Sequence, residues 1–107
     1  MAFARIQLPP QATRGEPVEV RVSIRHGMET GYRVDDSGKA IPRNTVREIV
    51  CRYNNVVVLR ANLDSGIAAN PYLRFYVTAA DSGDIVVSWV DDARERGEAR
   101  AALRVGA

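Results

Sequence analysis

The sequence predicts an all-β fold, an immunoglobulin-like β-sandwich of about seven antiparallel strands. Three observations carry this reading. Apolar and polar residues alternate with period two along most of the chain, β-branched residues fill the alternating runs, and Gly, Asn, Asp and Pro turn signals separate the runs at short intervals. A chain of 107 residues can bury a core without disulfide or metal staples, so residues 1–107 are expected to form a single domain.

The first strand is expected over Ala4-Arg5-Ile6-Gln7-Leu8, before the proline pair Pro9-Pro10. Val18, Val20, Val22 and Ile24 then alternate with Glu19, Arg21, Ser23 and Arg25. That is a half-buried strand, and Pro17 opens it where a missing N–H does least harm. Ile49-Val50-Cys51-Arg52-Tyr53 leads into Asn54-Asn55 and then Val56-Val57-Val58-Leu59. Two asparagines tolerate positive φ, so they suit a tight hairpin. Leu73, Phe75 and Val77 alternate with Arg74, Tyr76 and Thr78. Asp81-Ser82-Gly83-Asp84 makes a turn, after which Ile85, Val87 and Trp89 share a face, with Trp89 as a core anchor. The last strand holds Ala99, Ala101, Leu103 and Val105 inward and Arg100 and Arg104 outward. Residues 93–105 also have helix-forming composition, but Gly97 in the middle argues for a strand.

Two connections are too long and too apolar for simple turns. Positions 26 to 44 include Met28, Tyr32, Val34 and Ile41, and 62 to 71 include Gly66-Ile67-Ala68-Ala69-Asn70-Pro71. Loops of this kind either pack back on the sandwich or dock a partner.

Composition removes several chemistries. Fifteen basic and thirteen acidic residues leave a net charge of +2, too small and too scattered for a nucleic-acid or membrane surface. A single cysteine, Cys51, excludes an intrachain disulfide, and a single histidine, His26, excludes a multi-histidine metal site. With one histidine the chain cannot supply a type-one copper site from His26, Met28 and Cys51. Cys51 shares parity with Ile49 and Tyr53 and so reads as a small buried side chain. Asp35-Asp36 and Asp91-Asp92 offer carboxylate pairs, but beside turns they read first as turn residues. No phosphate-binding glycine loop or nucleophile elbow is present, so no catalytic constellation is expected. The opening residues lack a secretory apolar run, which points to the cytoplasm or to export on another protein.

Arg21, Arg25, Arg47, Arg52, Arg60 and Arg74 fall on strands, interleaved with Tyr53, Tyr72 and Tyr76. They can line one sheet face suited to a protein partner, since arginine and tyrosine are enriched at interface hot spots. A solvated outer surface with Glu19 and Glu48 as cross-strand partners is one alternative, and a single-stranded nucleic-acid surface, which the small net charge weakens, is the other.

The long loops carry a family resemblance. Met28-Glu29-Thr30-Gly31 with Arg33, Gly38-Lys39, and Ile41-Pro42-Arg43 form one motif; Ile67-Ala68-Ala69-Asn70-Pro71-Tyr72-Leu73 with Phe75-Tyr76-Val77 form the second. With the Ile6 to Glu16 opening, Trp89 and Asp91-Asp92, they resemble the SoxZ family of the bacterial thiosulfate-oxidising system over nearly the whole chain. The chain departs from the family's usual pattern at Gly27, at Ser65-Gly66, and after Asp92, where Ala93-Arg94-Glu95-Arg96 precedes the glycine.

The resemblance implies an immunoglobulin-like sandwich that catalyses nothing itself and uses no cofactor. It implies a tight heterodimer with a SoxY-type subunit, whose C-terminal cysteine carries the sulfur intermediates, and transient docking to the other Sox enzymes. It further implies a periplasmic location, reached by export with the partner. Met28, Glu29, Arg33, Arg43, Asn70 and Tyr72 are the expected partner contacts. A rival reading is a stand-alone β-sandwich that binds a small ligand or metal through His26, Met28 and the aspartates. A third gives Cys51 the role of a redox thiol.

Overall fold

The computed structural model describes residues 3–26, 34–41, 44–63 and 71–106. Its strands are β1 (Phe3–Gln7), β2 (Ala12–Thr13), β3 (Pro17–Arg25), β4 (Val46–Tyr53), β5 (Val56–Asn62), β6 (Tyr72–Thr78), β7 (Gly83–Asp91), β8 (Arg96–Leu103) and β9 (Val105–Gly106). Antiparallel pairing gives a three-stranded sheet, β1-β3-β6, and a four-stranded sheet, β5-β4-β7-β8. These two layers are the predicted sandwich. Among the described residues no helix is long and apolar enough to cross a membrane.

The alternation read in the sequence becomes the two inner faces. Val18, Val20, Val22 and Ile24 of β3 are all buried and face Ile49 and Cys51 of β4 and Ile85, Val87 and Trp89 of β7 in one core. Leu103, Val77 and Ala79 complete it, and Leu59, Leu73, Phe75 and Ala99 pack around its margin. Each fully buried Val, Ile or Leu contributes roughly 1.5–3 kcal/mol, and a row of four on β3 makes that strand the spine of its sheet.

Asn54 and Asn55 have φ of 50° and 67°, the left-handed pair a two-residue hairpin requires, as predicted. β5 then carries an extra residue, because Cys51 pairs with Leu59 whereas Arg52 pairs with Val57. This bulge leaves Val56, Val57 and Val58 exposed at the sheet edge. Tyr53, expected on an arginine–tyrosine face, is instead 7% exposed and part of the core. Its hydroxyl accepts the Ala80 N–H at 3.0 Å and donates to the Asp81 carbonyl, tying the hairpin to the β6–β7 turn.

The chain's end differs from the single strand expected. β8 stops at Leu103, and Val105 crosses to pair in parallel with Ala12 of β2. The crossing is stabilised because the Val105 N–H finds the Ser82 hydroxyl at 2.7 Å and the Ala12 N–H finds the Arg104 carbonyl at 2.9 Å.

Gly97 is a strand residue, not a helix breaker. It lies directly opposite Trp89 in the β7–β8 ladder, and a Cβ there would sit 2.1 Å from the indole ring. The missing side chain is what lets Trp89 lie flat in the core. Gly97→Val is therefore expected to cost about 1–3 kcal/mol through overpacking, read as a lower midpoint in urea with an unchanged slope. An unshifted midpoint would show that the indole can move aside.

Candidate functional site

Both long connections are rooted at one end of the sandwich. β3 ends there beside the start of β6, while β4 and β8 begin and β5 and β7 end there. The Asp91-Asp92 pair closes β7 at this end, and it does more than make a turn. Asp91 continues the inward parity of Ile85, Val87 and Trp89, so its carboxylate enters the core margin and is 3% exposed as a residue. Its Oδ2 lies 3.0 Å from Nε2 of His26, just past β3, and its Oδ1 accepts the Glu95 N–H at 2.9 Å. One buried carboxylate thus joins the two sheets.

Asp92 reaches the other way. Its Oδ2 accepts both the N–H and the hydroxyl of the buried Thr45 at 2.9 Å, and its Oδ1 meets Arg47 at 3.0 Å. Asn44 adds its side-chain oxygen to the Ala93 N–H at 3.2 Å. The turn that follows puts Arg94 at φ 65°, in the backbone region glycine favours.

Asp35 is a turn residue, as read. Its Oδ1 accepts the Ser37 and Lys39 N–H groups and the Ser37 hydroxyl within the turn bridged by Val34 and Ala40. The Ser37 hydroxyl, followed by the Lys39 backbone N–H, holds its carboxyl below the usual aspartate value. The two aspartate pairs therefore do separate jobs. Among the described residues no three His, Cys, Asp or Glu side chains gather as a metal-ligand set.

Of the expected partner contacts, Met28, Glu29, Arg33, Arg43 and Asn70 lie outside the described residues. Tyr72 lies within them, opposite Ser23 at the start of β6, and is 57% exposed. The preceding Pro71 is buried and its carbonyl accepts the Ile24 N–H at 2.9 Å, so β3 fixes where the second loop returns.

The strand arginines do not share one face. Arg21, Arg25 and Arg74 lie on the outer side of the three-stranded sheet, with Tyr72 and Tyr76. Arg47, Arg52 and Arg60 belong to the other sheet, where Arg60 pairs with Glu48 at 3.2 Å. Residue parity along each strand was readable in the sequence; which strands share a sheet was not.

Cys51 is fully buried, and desolvation pushes its thiol up to about 11. A thiol held in the neutral form is a poor nucleophile, so the redox reading finds no support in its surroundings.

These features define a β-sandwich with a staple where its long loops are rooted and a pronounced arginine–tyrosine outer face. The family model described as "Sulphur oxidation protein SoxZ" matches residues 6–102. The chain belongs to the SoxZ family. Comparison with curated proteins finds no match. Among solved structures the chain is similar to a superoxide reductase (neelaredoxin) variant from Ignicoccus hospitalis, with TM-score 0.73 and 20% identity over 96% of this chain and 79% of that one. It is also similar to the sulfur carrier protein SoxY from Chlorobium limicola f thiosulfatophilum, with TM-score 0.67 and 14% identity over 97% and 79%. At these identities the likeness is one of fold.

Two outcomes follow from the geometry. Asp91→Ala removes the buried acceptor that His26 Nε2 and the Glu95 N–H share and is expected to cost about 1–3 kcal/mol in equilibrium unfolding. Asp91→Asn, which keeps one acceptor oxygen, should cost less. Cys51 should react slowly with a thiol reagent at pH 8 in the native protein and rapidly once urea unfolds it. Fast native labelling would instead place the thiolate within reach of solvent.

Proposed function

We propose that the chain is the non-catalytic subunit of a SoxYZ-type sulfur carrier complex in bacterial thiosulfate oxidation. The observation that carries this is the family match, which spans nearly the whole chain from Ile6 to Ala102. In this reading the chain forms a heterodimer with a SoxY-type subunit, and the C-terminal cysteine of that subunit holds the sulfur intermediates. The SoxZ-family chain catalyses no step. It supplies a stable body for the carrier and a docking surface for the enzymes that load and unload it. The complex works in the periplasm, and the chain is exported together with its partner.

Three features of the molecule support the role. The only cysteine is buried and held as a thiol, so a sulfur cargo belongs on the partner. The loops with the family motifs are rooted together at one end, where the Asp91-Asp92 staple fixes their flanks. The edge strand β5 exposes Val56, Val57 and Val58, an apolar edge of the kind a partner chain covers. The chain also shares the fold of a SoxY sulfur carrier, which is consistent with the reading.

Co-expression with the SoxY-type subunit, followed by size-exclusion chromatography and native mass spectrometry, tests the reading. The expected result is a one-to-one complex that survives dilution, found in the periplasmic fraction. A monomer indifferent to that subunit would reject the proposal and favour the stand-alone ligand-binding sandwich.

A further inference from the structure

The outer face of the β1-β3-β6 sheet is unlike the rest of the molecule in charge. Among the described residues of its strands, Arg5, Arg21, Arg25 and Arg74 lie on it with one acidic residue, Glu19, and Arg25 makes a further contact of its own. The formal charges of these five residues sum to +3, against +2 for the entire chain, so the remaining residues together sum to −1. The small overall charge conceals a segregated one. On the four-stranded sheet, by contrast, Glu48 neutralises Arg60, and Asp84 and Glu98 both meet Arg100.

Two of the arginines share one carboxylate. Arg21 and Arg74 are direct cross-strand neighbours, an arrangement of like charges that weakens a sheet. Glu19 sits beside both: its Oε1 meets Arg21 Nε, while its Oε2 lies 4.0 Å from Arg74 Nε and accepts the Tyr76 hydroxyl at 3.0 Å. Arg21 foremost, then Tyr76, keeps the Glu19 carboxyl below its usual value, so it stays ionised at the centre of the cluster. Among the described residues the terminal nitrogens of both guanidinium forks have no partner, and these side chains are 49% and 60% exposed. Tyr72 and Tyr76 stand 57% and 61% exposed on the same face. A groove of about 340 Å³ between Leu8, Pro9, Glu19 and Arg21 adds an apolar wall.

We propose that this face is the docking site for a carboxylate-rich protein surface on an enzyme that acts on the carrier complex. The inference rests on the carrier-subunit reading above. Planar guanidinium forks recognise carboxylates in bidentate fashion, and exposed tyrosines supply the apolar contact a protein surface can return. The central Glu19 disfavours a uniform polyanion. A charged, exposed face suits a transient partner brought in by electrostatic steering, whereas a permanent subunit interface is more apolar.

The test uses the intact heterodimer as substrate, separately, for the purified enzyme that loads the carrier cysteine and for one that unloads it. Arg5→Glu combined with Arg74→Gln should raise KM for at least one enzyme by about tenfold at low salt, with kcat little changed. The difference should shrink as ionic strength rises and screening shortens the range of the field. Tyr76→Phe, which only releases Glu19, should have a smaller effect, and Arg104→Glu, away from this face, should have none. Unchanged KM for both enzymes with an intact heterodimer would overturn the inference while leaving the carrier-subunit reading in place. Dissociation of the heterodimer by the double variant would also overturn it, by assigning the face to the permanent interface. If the wild-type chain forms no heterodimer at all, the functional reading itself has failed.

Discussion

A carboxylate on the inner face of a β-sandwich must be satisfied, and the rest of this structure is arranged around that requirement at Asp91. The side chain sits one step beyond Ile85, Val87 and Trp89 in the inward row of β7. Leaving it unpaired would cost more than any single apolar contact nearby contributes. His26 from the end of β3 and the Glu95 N–H meet it, and the neighbouring Asp92 takes Thr45 and Arg47 from the entrance to β4. A small chain without a disulfide thus fixes the spacing of its two sheets, and the roots of its long loops, with two adjacent aspartates.

Between these roots and the opposite end the molecule is a packed body with two different outer surfaces. The four-stranded sheet pairs Arg60 with Glu48 and Arg100 with Asp84 and Glu98, and its edge strand β5 exposes Val56, Val57 and Val58. The three-stranded sheet concentrates positive charge and exposed tyrosine. The same scaffold is found in superoxide reductases and in a SoxY sulfur carrier, so architecture alone does not select a function. In the SoxZ family chain the distinguishing chemistry lies on surfaces and loop roots, and its lone thiol is buried in the core.

The seven principal strands were legible because period-two alternation is a direct imprint of a sheet with one buried face. The Asn54-Asn55 hairpin was legible because few residues accept positive φ twice in succession. Two features required contacts between distant parts of the chain. Asp91-Asp92 read as a turn because aspartate is common in turns; the clue to its structural role was that Asp91 keeps the inward parity of the three residues before it. Gly97 argued correctly against a helix, but the reason it is needed, the Trp89 indole across the ladder, is a property of the β7–β8 register. Of the partner contacts named from the motifs, Tyr72 is exposed on β6, and the others lie outside the described residues.

The sequence by itself determined the all-β class, the strand identities, the burial of Cys51 and, through its loop motifs, the family. These are consequences of local patterning, in which each residue's neighbours two positions away carry the information. Only the tertiary structure decided which strands share a sheet, which edges stay open and which charges gather. Arg21 and Arg74 lie fifty-three positions apart in the chain and become neighbours through the β3–β6 pairing alone. Strand order is a long-range choice, set by packing of the whole core, and no window of sequence contains it.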